Sequence, residues 1–135
     1  MNRDKIMHSL DELYRTRLTN DPSVCIHCFA DDGALRLSGT LPNGDPMPAA
    51  QGRAALSAAL KELTDTWRWR ERETLSLTID GNQAAVRYRL TTDHIPSGQV
   101  IVTEIMDHVR FDDDARVLEV VEYVDTALIE RLSQY

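Results

Sequence analysis

A chain of 135 residues is sized for one domain with a single core. Its formal net charge of −7 leaves no basic stripe for nucleic acid and no attraction to an anionic membrane surface. No apolar run approaches the roughly 20 residues a membrane helix needs, and the amphipathic, acid-bearing start has no signal-like core or cleavage pattern, so a cytoplasmic protein is expected.

The first helix is predicted from Asp4 to Leu18, with Ile6, Leu10, Leu13, Tyr14 and Leu18 at helical spacing. Asp21 caps a short second helix and Pro22 suits its first position. That helix carries Val24, Cys25, Cys28 and Phe29, and Ala30-Asp31-Asp32-Gly33 reads as its stop. Ala34 to Ser38 reads as a short strand. Gly39 to Gly52, rich in Pro, Gly and Asn, reads as a loop long enough to wall a site. A third helix runs from Arg53 to Thr66 with Leu56, Ala59, Leu60 and Leu63 inward.

Strands fill most of the remainder. Trp67 to Ile79 is followed by the tight-turn signal Asp80-Gly81-Asn82. Ala84 to Thr91 carries Val86, Tyr88 and Leu90 on one face, Arg87 and Arg89 on the other. After a turn from His94 to Gly98 comes Gln99 to Phe111, apolar on both faces over much of its length. Asp112-Asp113-Asp114 turns the chain into a last strand, Val117 to Asp125, and Thr126 to Leu132 forms a terminal helix. The result is an α+β domain over residues 1–135: a curved antiparallel sheet wrapped around three N-terminal helices.

Asp107 interrupts an apolar row made by Ile101, Ile105 and Val109. Such a carboxyl must stay protonated, find a partner, or face a ligand or water. It either donates to a ligand oxygen or bonds structurally to Tyr14, Tyr88 or water. Tyr14 either faces a ligand or is a core aromatic with a satisfied hydroxyl. Glu122 shares the parity of Val120 and Val124; it is a general base of raised proton affinity or a strand-end acid reaching solvent. Trp67 and Trp69 stack on a flat ligand or fill core. Leu37, Val86, Tyr88, Ile105, Val120 and Val124 complete the expected substrate pocket. Asp125 is expected as a helix cap, and Arg87 and Arg89 are expected to pair across strands with acids such as Glu71 or the outer-face Glu104. His94 lies in a turn and His108 on the outer face. Cys25-Ile26-His27-Cys28 has no second ligand cluster, so the cysteines read as core residues and no metal site is expected.

Four local marks carry a resemblance: Phe29-Ala30-Asp31-Asp32-Gly33-Ala34, Gln51-Gly52-Arg53-Ala54-Ala55-Leu56, Arg110-Phe111-Asp112, and Glu122-Tyr123-Val124-Asp125. In this order and spacing the chain resembles the NTF2-like superfamily, the cone fold of ketosteroid isomerases, SnoaL-type cyclases and limonene-epoxide hydrolases. The resemblance to the isomerases implies that Tyr14 and Asp107 match an oxyanion-hole pair, and that Leu37 stands where their basic aspartate would be. The resemblance to the epoxide hydrolases implies that Glu122 matches an acid of an acid–arginine–acid set. Its other two members would fall where this chain has Val86 and Tyr88. The activity implied is acid–base chemistry, without cofactor, on a small apolar substrate by Tyr14, Asp107 and Glu122. The alternative is a non-catalytic ligand-binding or dimerisation module. Val100, Val102 and Met106 on the outer face predict a homodimer through the convex sheet.

Overall fold

The computed structural model describes residues 2–135. Helix α1 (Arg3–Arg17) starts where the Asn2 side chain accepts from the Asp4 amide at 2.7 Å, and it ends on Arg15 and Arg17, the charge its C-terminal dipole favours. Asp21 caps α2 (Pro22–Cys25), which continues as one 3₁₀ turn. Helix α3 (Arg53–Thr66) follows Gly52, whose φ of +86° suits glycine. Helix α4 (Thr126–Leu132) is capped by Asp125, which accepts from the Leu128 amide at 3.2 Å.

The strands are β1 (Phe29–Leu37), β2 (Ala50–Gln51), β3 (Trp67–Asp80), β4 (Gln83–His94), β5 (Gln99–Phe111) and β6 (Val117–Tyr123). Their order across the sheet is β2-β1-β6-β5-β4-β3. The sheet is mixed, since β1 runs parallel to β6 while every other pair is antiparallel.

The last strand stops at Tyr123, two residues short of the sequence reading, and the first helix is displaced by one residue; three differences are larger. Ala30-Asp31-Asp32-Gly33 does not end a helix but lies within β1 as an irregularity between the Phe29–Val117 and Ala34–Glu119 pairs. Gly33 is needed there, because a Cβ would stand 2.9 Å from the Ala30 carbonyl oxygen and 3.1 Å from the Phe29 Cβ. The loop after β1 contributes β2, which pairs with Ala34 and Leu35. Strand β4 runs on to His94, whose buried ring lies 4.7 Å from that of Trp67 and whose Nδ1 bonds the Ser97 hydroxyl.

The core lies between the concave face and the helices. Ile6, Leu10 and Leu13 of α1 and Leu56 and Leu60 of α3 pack over Tyr88, Val109 and Phe111 of the sheet. A second small cluster joins Leu128 and Leu132 of α4 to Ile101 and Trp67, so α4 sits at the open end of the sheet. The outward side chains of β5 stay open, Val102 at 62% exposure with Val100 and Met106 beside it. Arg87–Glu104 and Arg89–Glu73 ion pairs flank them. Among the described residues no helix is long and apolar enough to cross a membrane.

Candidate functional site

Strand pairing draws one row across the sheet: Leu37 opposite Glu122, Glu122 opposite Asp107, Asp107 opposite Val86. Paired residues share a face, so the two acids are neighbours on the concave side. Asp107 is only 3% exposed. The Tyr14 hydroxyl donates to its Oδ2 at 2.8 Å from α1, and the Tyr88 hydroxyl donates to the same oxygen at 2.9 Å from β4. The two rings meet edge to face, 5.2 Å apart. Asp107 Oδ1 has no partner among the described residues.

Two arginines face this cluster, and the sequence reading missed both. Arg72 of β3 lays its guanidinium 3.5 Å from the Tyr14 ring centroid and 4.2 Å from that of Tyr88. Its Nη1 donates to Thr74, while Nε and Nη2 are buried without an acceptor among the described residues. The ring faces are what those N–H groups meet. Arg17 of α1 stacks 4.1 Å above Trp69. Arg17 was legible: it continues the buried stripe of Leu10, Leu13 and Tyr14, and a charge on that stripe is a signal. Arg72 was not, because an irregularity at Arg70 shifts the alternation of β3. Glu71, in step with Trp69 by sequence, turns outward, and Arg72 takes the inner position.

The electrostatics follow from burial. Desolvation, with the Asp107 charge beside them, holds both phenols well above the usual tyrosine range, so they remain donors. Desolvation raises the Asp107 carboxyl to about 6, even though both phenols, Arg17 and Arg72 pull the other way. Glu122 is pushed up to about 7, first by desolvation and then by the Asp107 charge, with Arg17 opposing.

Two hollows meet at Glu122. An inner cavity of about 20 Å³ is bounded by Tyr14, Arg17, Trp69, Asp107, Val120 and Glu122. A mouth pocket of about 120 Å³ is lined by Trp67, Trp69, Ile105, Val124 and Leu128, with Glu122 in its wall. Trp69 and Glu122 therefore border both. Leu37 lies on the rim of the mouth at 43% exposure. Tyr88 lies in the core, bonded to Asp107. Val86 is buried and lines neither hollow. Cys25 and Cys28 are free thiols away from both, and among the described residues no group of three metal-ligating side chains occurs.

The raised acids set the pH dependence of stability. Each holds its proton more tightly in the folded chain, so the native state carries protons the unfolded chain has lost. Stability falls as pH rises from about 4 to about 7, by at most about 1.4 kcal/mol per pH unit for each group. Glu122→Gln removes one contribution. The variant is expected to gain on the wild type in urea unfolding between about pH 5 and 8, and to converge with it near pH 4. A difference that shrinks as pH rises contradicts the raised Glu122.

The sequence profile of the SnoaL-like domain matches residues 10–120. No curated protein matches the chain in sequence. Among solved structures, a candidate isomerase from Bacillus subtilis is similar with a TM-score of 0.82 at 14% identity, over 99% of this chain and 96% of that one. A candidate SnoaL-like polyketide cyclase from Jannaschia sp. gives 0.79 at 16% identity, over 98% and 96%. The epoxide hydrolase/cyclase-like enzyme SalBIII, of pyran ring formation in the polyether salinomycin, gives 0.76 at 14% identity, over 93% and 95%. At these identities the likeness is one of fold.

Proposed function

The chain belongs to the SnoaL-like domain family, and from that premise we propose that it is an enzyme doing acid–base chemistry on a small, largely apolar carbonyl compound, using its own side chains and no cofactor. One observation carries the reading. Glu122 places a carboxyl of near-neutral proton affinity between an apolar pocket and an inner cavity that also holds Tyr14, Arg17 and Asp107. A base is most effective when its pKa lies near the working pH.

Glu122 takes and returns the proton. Asp107 supports it, since its adjacent charge raises the proton affinity of Glu122. Tyr14 and Tyr88 hold Asp107 in place; the Tyr14 hydrogen is engaged there, so Tyr14 acts on the acid rather than on the substrate. The base stands one strand away from Leu37, in the same row. The cyclase and epoxide hydrolase/cyclase-like names of the similar structures lend support at the level of reaction type.

The test is deuterium incorporation from heavy water into small cyclic ketones, followed by proton NMR. Exchange that depends on the folded chain supports the proposal. Its absence across a panel of ring-sized ketones favours the second reading, a ligand-binding or dimerisation module, for which the small inner cavity speaks.

We also infer that the convex face pairs two copies, because Val100, Val102 and Met106 form an exposed apolar strip with Tyr123 beside it. The wild type is expected to sediment as a dimer and Val102→Arg as a monomer. A monomeric wild type at about 100 µM, a concentration at which even a micromolar dimer is mostly assembled, refutes the inference.

A further inference from the structure

Among the described residues five polar or charged ones are buried: Thr16, Arg17, Thr92, His94 and Asp107. Four have hydrogen-bond partners within the chain. Thr16 donates to the Leu13 carbonyl, Thr92 to the Arg68 carbonyl, His94 meets Ser97, and Asp107 accepts from two phenols. Arg17 is the exception. It is 8% exposed, and among the described residues its side chain enters no ion pair or hydrogen bond; it has the face of Trp69. It borders the inner cavity, whose other polar walls are Tyr14, Asp107 and Glu122. A guanidinium offers five N–H donors in a fixed fork and takes no proton away from a ligand. Among the described residues the fully buried side-chain nitrogens and oxygens without a partner belong to Arg72 and Asp107, not to Arg17, so the Arg17 donors remain open to an acceptor that enters the cavity.

We propose that Arg17 anchors the ligand oxygen that becomes anionic, and that the ligand is a ring-sized carbonyl compound with an acidic hydrogen next to the carbonyl. This rests on the reading of Glu122 as proton acceptor. The size follows from the two hollows. The mouth pocket, about 120 Å³, is slightly smaller than the roughly 150 Å³ engineered cavity that admits benzene. Trp67 and Trp69 give it flat walls. The inner cavity, about 20 Å³, has room for one oxygen, the space of about one water. A carboxylate or phosphate is too large for it.

The chemistry is balanced within the site. The Glu122 carboxylate takes the hydrogen: the C–H bond breaks, an O–H bond forms on Glu122, and the electron pair moves through the carbonyl carbon onto the oxygen. The negative charge passes from Glu122 to the ligand oxygen, and Arg17 faces it before and after. Return of the proton to the same or a conjugated carbon closes the cycle with no co-reactant. Arg17 then does for the oxygen what Tyr14, engaged with Asp107, does not.

The test uses the full chain and para-fluorophenol, whose phenolate mimics the enolate in charge and ring size, followed by fluorine NMR across pH. The wild type is expected to bind the phenolate in preference to the phenol, lowering the probe's ionisation by about one pH unit. Arg17→Met, which keeps an unbranched apolar stem over Trp69, is expected to lose about tenfold or more in phenolate affinity and to abolish the shift. Arg17→Lys, whose ammonium keeps the charge, is expected to retain part of both. Para-fluoroanisole, which cannot ionise, is expected to bind wild type and Arg17→Met alike; near-ultraviolet circular dichroism checks that the variants are folded. The proposal is overturned if Arg17→Met titrates the probe as the wild type does, if the anisole binds wild type as tightly as the phenol, or if folded wild type binds neither at millimolar concentration. Glu122→Gln separates this from the base assignment. It is expected to keep phenolate binding while losing ketone exchange, so a Glu122 variant with undiminished exchange sinks the base and leaves the Arg17 anchor standing.

Discussion

Glu122→Gln is expected to slow ketone hydrogen exchange by roughly 10²–10⁴-fold, the usual contribution of a positioned general base. That range corresponds to about 3–5 kcal/mol of barrier. Gln keeps the length and shape of the side chain, so the hollows on either side remain, and its amide takes no proton. The pH profile is the sharper readout. The wild-type rate should rise as Glu122 ionises around its raised value of about 7, while the residual rate of the variant should be flat through that range. Burial and the Asp107 charge cause the elevation, so Asp107→Asn should move the wild-type inflection downward without removing it. A Glu122→Gln variant within about threefold of wild type, far below the effect of losing a base, ends the assignment.

Asp107→Ala is expected to destabilise the chain by about 3 kcal/mol near pH 7, the largest stability effect of a single substitution in the site. Two terms oppose each other. Removing the carboxylate relieves its own desolvation, which an elevation from 3.8 to about 6 puts at about 3 kcal/mol at neutral pH. Against this, two buried phenols lose their acceptor, at about 1–3 kcal/mol each, and Arg17 and Arg72 lose a nearby opposite charge, a loss that stays below the about 3–5 kcal/mol of a directly bonded buried pair. Asp107→Asn, which keeps an acceptor oxygen and the volume, should lose less. Adding Arg72→Met to Asp107→Ala should recover part of the loss, because the stranded cation goes with the acid; a double-mutant cycle in urea measures the coupling. Additive losses for the pair would show that Arg72 answers to the rings alone. A loss under about 1 kcal/mol for Asp107→Ala would mean that water replaces the carboxylate at little cost.

Legibility in the sequence followed the distance over which each signal acts. The alternation of β5 marked Asp107 as an inward acid, because strand parity is local and β5 pairs with β4 without a break. Asp21-Pro22, Asp125 and the span Arg53–Thr66 were equally local, set by capping chemistry and helical spacing. The β1–β6 pairing was less accessible, because it joins residues some ninety positions apart, from Phe29 and Val117 onward. Strand irregularities were the principal source of error. Asp31 and Asp32 look like a helix stop, yet Gly33 lets the strand fold tightly against Phe29. In β3, simple alternation puts Glu71 in step with Trp69 and conceals Arg72. The site itself was half visible: two acids and a tyrosine could be named, whereas the arginines that balance them sat where charge is not expected.

The irregularity in β3 has a practical corollary. Trp69 pairs with Thr92 and Glu71 with Thr91, leaving Arg70 as a supernumerary residue on the outermost strand, where no further strand pairs with it and its guanidinium reaches only the Asp93 carboxylate of β4. Excising Arg70 leaves Trp69 and Arg72 delivering the same groups inward from a straighter ribbon. Shape and chemical inventory thus become separable in this molecule, once Arg70→Ala, which loses the Asp93 ion pair but keeps the extra residue, is set beside the deletion.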